Sequence, residues 1–232
     1  MDAGAIDRSF VIHLKAVFDP EKLREIRAHL EAAGDALQDR AGCDREQRAL
    51  SRGEGSDALR LDHKWMEAWL SPSAALLEAL GEHTWVCYPC QVRQVSKAPE
   101  HYVPWHQDAA FIQLMGARAH RRIVTVFVPL DENPGQRTTL SFGPRQDVLL
   151  PHQELNGFGA GLPDWTGDEE WFPMELGDAL FFGDLAPHRT FTPPGADVRR
   201  ASLEFRLASR EEAIQDKDYF DIRSGTMVRL PS

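Results

Sequence analysis

The stretch Gly177-Asp-Ala-Leu-Phe-Phe-Gly-Asp-Leu-Ala-Pro-His188-Arg-Thr-Phe-Thr-Pro-Pro-Gly195 decides how the fold is read. Gly177-Asp178 is a turn signal, and the apolar run over 179–182 has the length of one strand, too short for a helix. A second strand is expected over 188–192. Thr192-Pro-Pro-Gly195 then breaks the chain, and a third strand is expected over 198–207. Toward the N-terminus the same texture of short apolar runs between Pro, Gly and Asp predicts strands over 85–87, 91–96, 103–108, 123–130, 138–142 and 171–176. Many short, evenly spaced strands make a sandwich or a closed barrel. The glycine-rich run 156–164 reads as a loop within this region, with the length of a lid.

The first third reads as helix. Asp19-Pro20 is an N-cap followed by proline in the first turn, Leu23, Ile26, Leu30 and Ala33 recur at helical spacing, and Gly34 stops the run. Further helices are expected over 56–70 and from Ser71-Pro72 to Gly81, with Trp65, Met66 and Trp69 as core packing. With 232 residues, 42% hydrophobic and 27% charged, the chain suits one globular domain over 1–232: a helical flank over 1–82, a β core over 83–210 and an extension over 211–232. A net charge of -10 opposes binding to phosphate backbones and anionic membranes. No apolar run approaches the roughly 20 residues of a membrane helix, and Met1 to Asp7 lacks the pattern of a signal peptide. Three cysteines, Cys43, Cys87 and Cys90, are too few and too odd for a disulfide framework, which predicts a reducing, cytoplasmic setting. Cys87-Tyr-Pro-Cys90 has redox spacing but lies in a strand-like run, away from the helix N-terminus that such chemistry needs. Gly157-x-Gly159-x-Gly161 lacks the strand and helix of a phosphate cradle.

The chemistry centres on His106-Gln107-Asp108. On a strand, residues two apart share a face, so imidazole and carboxylate could hold one metal from one side. A chain of this composition holds about one such pair by chance, so the motif alone is weak. His152/Glu154 is a rival pair, whereas His29/Glu31 splays apart on a helix; His101 lacks a partner at useful spacing. His188 supplies a third ligand. A hairpin centred on Pro193–Pro194 would set His188 opposite Arg199, and a half-residue shift would set it opposite Arg200, which forms Arg-x-Ser with Ser202. A guanidinium beside a metal suits a small diacid chelated at one end and paired at the other. Thr190, two residues after His188, could donate a hydroxyl hydrogen bond to that far carboxylate.

These residues resemble the phytanoyl-CoA dioxygenase family of Fe(II)/2-oxoglutarate oxygenases. The resemblance covers about Gln91 to Leu207: Gln91-Val-Arg-Gln-Val-Ser-Lys97, Trp105-His-Gln-Asp-Ala-Ala-Phe111, Ile123-Val-Thr-Val-Phe-Val-Pro-Leu-Asp131, Gly177-Asp-Ala-Leu-Phe-Phe182, His188 and Arg199-Arg-Ala-Ser-Leu203. The family's Pro-Gly-Ser-His turn is replaced by Phe142-Gly-Pro-Arg145, and its middle-strand tryptophan by Phe127.

The resemblance implies a mainly β protein with flanking α: a double-stranded β-helix, or cupin-like jelly roll, preceded by N-terminal helices. It implies Fe(II) on His106, Asp108 and His188, with 2-oxoglutarate as co-substrate. The co-substrate's far carboxylate is expected on Arg199, with Arg200 as the alternative and Thr190, Gln107 and Ser202 as further contacts. The reaction implied consumes O₂, releases succinate and CO₂, and oxidises a C–H bond of a small molecule. Asp108, in place of the small residue found in related halogenases, favours hydroxylation. Trp105, Phe111 and Phe127 are expected along the substrate pocket. Iron affinity is expected to fall below about pH 6, where ordinary imidazoles protonate. The competing expectation is a cupin-like barrel that binds a metal or an acid without activating O₂.

Overall fold

The computed structural model describes residues 7–28, 60–61, 73–95, 103–114, 122–155, 158–163, 165–197, 200–214 and 218–230. Strand β4 (Val124–Pro129) explains the architecture, because all six of its residues are buried. A strand with one wet face alternates apolar and polar residues; a continuous run means that both faces are covered. Val124, Val126 and Val128 pack into one core and Phe127 into another. Strand β9 (Ala179–Gly183) divides the same way, with Ala179 and Phe181 on one side and Leu180 and Phe182 on the other.

The first core lies between the large sheet and the helices. A helix over 20–28 (α1) contributes Leu23 and Ile26, and α2 (Ala74–Leu80) contributes Leu76 and Leu80. The Asp19 carboxylate accepts the Glu21 N–H at 3.0 Å, as the capping signal predicts. Helix α2 begins two residues later than expected, capped by the Ser73 hydroxyl, which accepts from Leu76 N–H at 3.1 Å, and it stops at Gly81 as expected. The second core lies inside the barrel, where Phe127, Leu180 and Phe182 meet Leu140, Phe142 and Ala186 of the small sheet and its loop.

The large sheet runs β1 (Val11–Leu14), β9, β4, β11 (Arg200–Ala208), β3 (Trp85–Val95), β12 (Asp218–Asp221) and β13 (Thr226–Arg229), with β2 (Arg60–Leu61) also on β3; every pair is antiparallel. The small sheet runs β10 (His188–Phe191), β5 (Thr139–Phe142) and β8 (Glu170–Trp171). Strands β6 (Gln153–Leu155) and β7 (Phe158–Gly161) form a separate pair. This is the expected jelly roll, with strands from both flanks joined to its large sheet.

Several local expectations are corrected. Arg60–Leu61 is strand, inside the run expected to be helix, whose remaining residues lie outside those described, as do His29, Glu31, Gly34, Cys43 and His101. The strands expected over 85–87 and 91–96 are one strand continuing through Pro89, so Cys87 and Cys90 sit mid-strand rather than at a helix N-terminus. Residues 158–161, expected to be loop, pair as β7, and the strand over 171–176 shrinks to β8. The hairpin around Pro193–Pro194 does not form: β10 pairs with β5, and β11 with β3 and β4. The chain crosses from one sheet to the other there, as a jelly roll requires, so residues at equal distances from the turn are not cross-strand neighbours.

Two glycines anchor the N-terminal segment. Gly177, at φ +105°, offers its carbonyl to the N–H groups of Val17 and Phe18 at 2.9 and 3.0 Å. Beside it, the buried Asp178 carboxylate accepts from Ala16 N–H, Glu175 N–H and His13 Nε2, at 2.9, 3.0 and 2.9 Å. At Gly183 a Cβ would stand 2.1 Å from the Arg8 carbonyl oxygen, so only glycine admits that segment.

Candidate metal centre

His106 and His188 face each other across a single antiparallel bridge, exchanging both backbone hydrogen bonds at 3.0 and 2.9 Å. Their rings stand 4.1 Å apart. After His106 the chain leaves the bridge, and Asp108 opens helix α3 (Asp108–Leu114). The expected two-apart alignment on one strand is therefore wrong in its geometry, yet the three groups converge. Asp108 Oδ1 lies 3.6 Å from His106 Nε2 and 4.0 Å from His188 Nε2. The potential ligand atoms all lie within 4.8 Å of one another, and all three residues are buried.

The donor set fits a metal. His106 Nδ1 lies 2.9 Å from Pro104 O, and His188 Nδ1 lies 2.9 Å from Ala186 O. A carbonyl can only accept, so each Nδ1 carries the hydrogen and each Nε2 keeps its lone pair for the shared point. Burial, followed by the neighbouring His106, pushes His188 down to about 3, so it stays neutral at pH 7. Burial pushes the Asp108 carboxyl up, but the Arg206 charge opposes it, and the carboxyl is held well below its usual range. Phe111 sets its ring edge on His106 at 5.5 Å, and Phe182 packs on His188 at 4.6 Å.

The other predicted residues divide. Arg199 lies outside the described residues. Arg200 is buried on β11; its Nη1 donates to Thr139 O at 3.0 Å, Nη2 stands 3.6 Å from Glu204 Oε1, and the guanidinium lies 5.1 Å from the Phe127 ring centre. Ala201, Leu203, Phe205 and Leu207 face the helix-side core, so alternation turns Arg200, Ser202, Glu204 and Arg206 into the barrel. Ser202 Oγ is buried and makes no hydrogen bond among the described residues. Thr190 shares the His188 side of β10; its hydroxyl accepts from Val103 N–H at 3.1 Å and retains its own hydrogen for donation.

Gln107 is committed elsewhere than expected. Its amide donates to Val148 O and Leu185 O at 3.1 and 2.7 Å and accepts from Leu150 N–H at 2.8 Å, which uses both of its donors. It ties the segment 148–152 to the metal loop. The rival His152 belongs to the same tie: Nε2 accepts from Gln107 N–H at 3.0 Å, while Glu154 is exposed on β6. Trp105 lies between two other side chains. Its ring packs on Trp165 at 5.4 Å and under the Arg189 guanidinium at 5.2 Å, and Arg189 alternates with the inward-facing His188 and Thr190.

Thr125, Glu204 and Arg206 were not singled out from the sequence. Thr125 Oγ1 donates to Asp108 Oδ2 at 2.5 Å, and Arg206 Nε stands 3.7 Å from the same oxygen. The polar row 200, 202, 204, 206 against the apolar row 201, 203, 205, 207 was the available signal.

The sequence profile of the phytanoyl-CoA dioxygenase family matches residues 11–201. The chain belongs to the phytanoyl-CoA dioxygenase family. It is an oxygenase of the iron- and 2-oxoglutarate-dependent class, with iron as cofactor and 2-oxoglutarate as co-substrate. No curated protein sequence matches it. Among solved structures, its fold is similar to that of the apo non-heme monooxygenase ThoJ (TM-score 0.60, 15% identity, 97% of this chain and 82% of that one). It is also similar to the epimerase SnoN in complex with Fe3+, alpha-ketoglutarate and nogalamycin RO (0.57, 16%, 87% and 80%). EvdO2 from Micromonospora carbonacea var. aurantiaca, complexed with 2-oxoglutarate, is a third (0.56, 18%, 90% and 92%). Among the described residues no helix is long and apolar enough to cross a membrane.

Proposed function

We propose that the protein oxidises an unactivated C–H bond of a small-molecule metabolite, with release of succinate and CO₂. The observation that carries this reading is the convergence of His106, Asp108 and His188 on one point beneath a barrel wall bearing inward-facing Arg200 and Ser202. The three side chains hold the metal. Arg200 receives the far carboxylate of 2-oxoglutarate, in preference to Arg199, because it is buried in the barrel and held to Thr139 O. Ser202 and Thr190 complete that socket with hydroxyl donors. Iron held by these residues would supply the O₂ chemistry that couples decarboxylation of 2-oxoglutarate to oxidation of the substrate.

The chain's own residues prepare the site. The Pro104 and Ala186 carbonyls fix both imidazole tautomers, and Phe111, Phe142 and Phe182 surround the imidazoles with apolar rings. Phe127 supports the Arg200 guanidinium rather than a metabolite, and the contact of Phe111 with His106 supports a place for it along the substrate pocket. An Asp at position 108 supports hydroxylation over halogenation. The sparse cysteines support a cytoplasmic setting, and the acidic charge supports a partner other than nucleic acid.

The deciding experiment is anaerobic. Adding 2-oxoglutarate to the Fe(II) protein should raise a visible metal-to-keto-acid charge-transfer band. Admitting O₂ should then yield succinate. Asp108→Ala should lose both, and Arg200→Leu should move the band to much higher 2-oxoglutarate concentration. A protein that takes up zinc and shows neither band nor succinate would be a binding barrel, not an oxygenase.

A further inference from the structure

The two oxygens of Asp108 have different surroundings. Oδ1 is the oxygen nearer both imidazole Nε2 atoms, at 3.6 and 4.0 Å, while Oδ2 is engaged by the large sheet. There it accepts the Thr125 hydroxyl at 2.5 Å and stands 3.7 Å from Arg206 Nε. The cluster of potential metal ligands is His106, Asp108 and His188. Arg206 and Thr125 belong to the large sheet, where they are direct cross-strand partners. A residue pair set in neighbouring sheet strands is a rigid support, whereas Asp108 itself stands at the start of a seven-residue helix.

We propose that Thr125 and Arg206 are positioning residues that hold Asp108 by Oδ2, so that only Oδ1 is offered to the metal. The inference rests on the metal reading above and extends it. A carboxylate with Oδ2 released can swing and bind through both oxygens. The second oxygen would then occupy a position that a facial triad keeps open for co-substrate and O₂. The Thr125 hydroxyl acts as a directional donor and Arg206 as a fixed positive charge, so losing either should loosen the same carboxylate by different amounts.

The test uses Co(II) as an air-stable stand-in with visible ligand-field bands. Thr125→Val keeps the side-chain shape and removes the hydroxyl. It should weaken Co(II) binding by about 10- to 100-fold, as losing an outer-shell partner does, and should change the position and intensity of the bands. Thr125→Ser should restore both. The thermal midpoint of metal-free Thr125→Val should fall, because a buried carboxylate loses a donor; a purely structural role would lower the midpoint without moving the bands of the folded, metal-loaded protein. Arg206→Met should act in the same direction and Arg206→Lys should recover part of the loss. This pair keeps the test decisive if Thr125→Val does not fold. Wild-type affinity and bands in Thr125→Val, or a serine variant no better than valine, would overturn the inference. A wild-type protein that binds no Co(II), alongside an equally inert Asp108→Ala, would instead overturn the metal reading itself.

Discussion

The two faces of β11 are both largely buried and chemically opposite. One carries Ala201, Leu203, Phe205 and Leu207 into the helix-side core; the other carries Arg200, Ser202, Glu204 and Arg206 into the barrel. The first face drives folding by removing apolar surface from water, at about 1.5–3 kcal/mol for each large side chain. The second contributes little of that kind, and its charges carry a desolvation cost that ion pairs only partly offset. Polar residues buried at strand period therefore mark where a fold accepts instability for chemistry.

The sharpest way to break this comparison is Phe205→Ala. Phe205 is buried among close neighbours, so the variant should lose about 3–5 kcal/mol in denaturant titration, while any folded fraction retains metal binding. A loss below 1 kcal/mol would mean that the helix-side core does not carry the fold. Arg200→Leu probes the other face. Truncating a partner of a buried charge interaction should weaken 2-oxoglutarate binding by about 2–5 kcal/mol, read from the charge-transfer band. It should also destabilise the fold, because Glu204 loses the guanidinium 3.6 Å away. The double variant Arg200→Leu/Glu204→Leu should then recover stability without recovering co-substrate binding. Recovery of both would show that the polar row is structural and that the co-substrate site lies elsewhere.

Asp178 sharpens the same contrast, as a buried polar group outside the barrel row. Its carboxylate satisfies two backbone N–H groups and His13 in the turn that anchors the N-terminal segment. Asp178→Ala should therefore cost about 1–3 kcal/mol of stability and leave the Co(II) affinity of the folded protein unchanged. A loss of metal affinity would link this turn to the centre.

How far the chain was legible follows from these same residues. The strands of β4 and β9 were readable because sheets buried on both faces need continuous apolar runs. The metal triad was readable as residue types in order, although not as geometry: a bridge and a helix start, rather than one strand, bring His106 and Asp108 together. The arginine question turned on strand pairing. Counting outward from Pro193–Pro194 assumes a hairpin, and the chain instead changes sheets, a non-local choice with no local signal. Thr125 was hidden because a threonine inside an apolar strand is ordinary in itself; only the arrival of Asp108, 17 residues earlier in the chain, gives its hydroxyl a task. Gln107 misled because adjacency to a ligand in sequence does not fix where a side chain points.

Acid titration separates the faces most finely. His188 sits at 4% exposure among aromatic rings, and burial lowers it to about 3, against 6.5 for a free imidazole. Between those values the unfolded chain takes up a proton that the folded chain refuses, so stability is intact above pH 6.5 and falls as pH drops toward 3. The slope from this residue is about 1.4 kcal/mol per pH unit. Burial lowers His83 and His152 as well, and they add in the same direction. Burial keeps the folded chain from taking that proton at His188, so a metal-free sample should lose stability as pH falls from 6.5. Denaturant midpoints of metal-free wild type and His188→Leu, measured from pH 7 to pH 4, should diverge in slope by about one proton at most, with wild type the steeper. Parallel lines would mean that His188 is solvated and that the barrel face is wetter than the apolar rings around it imply.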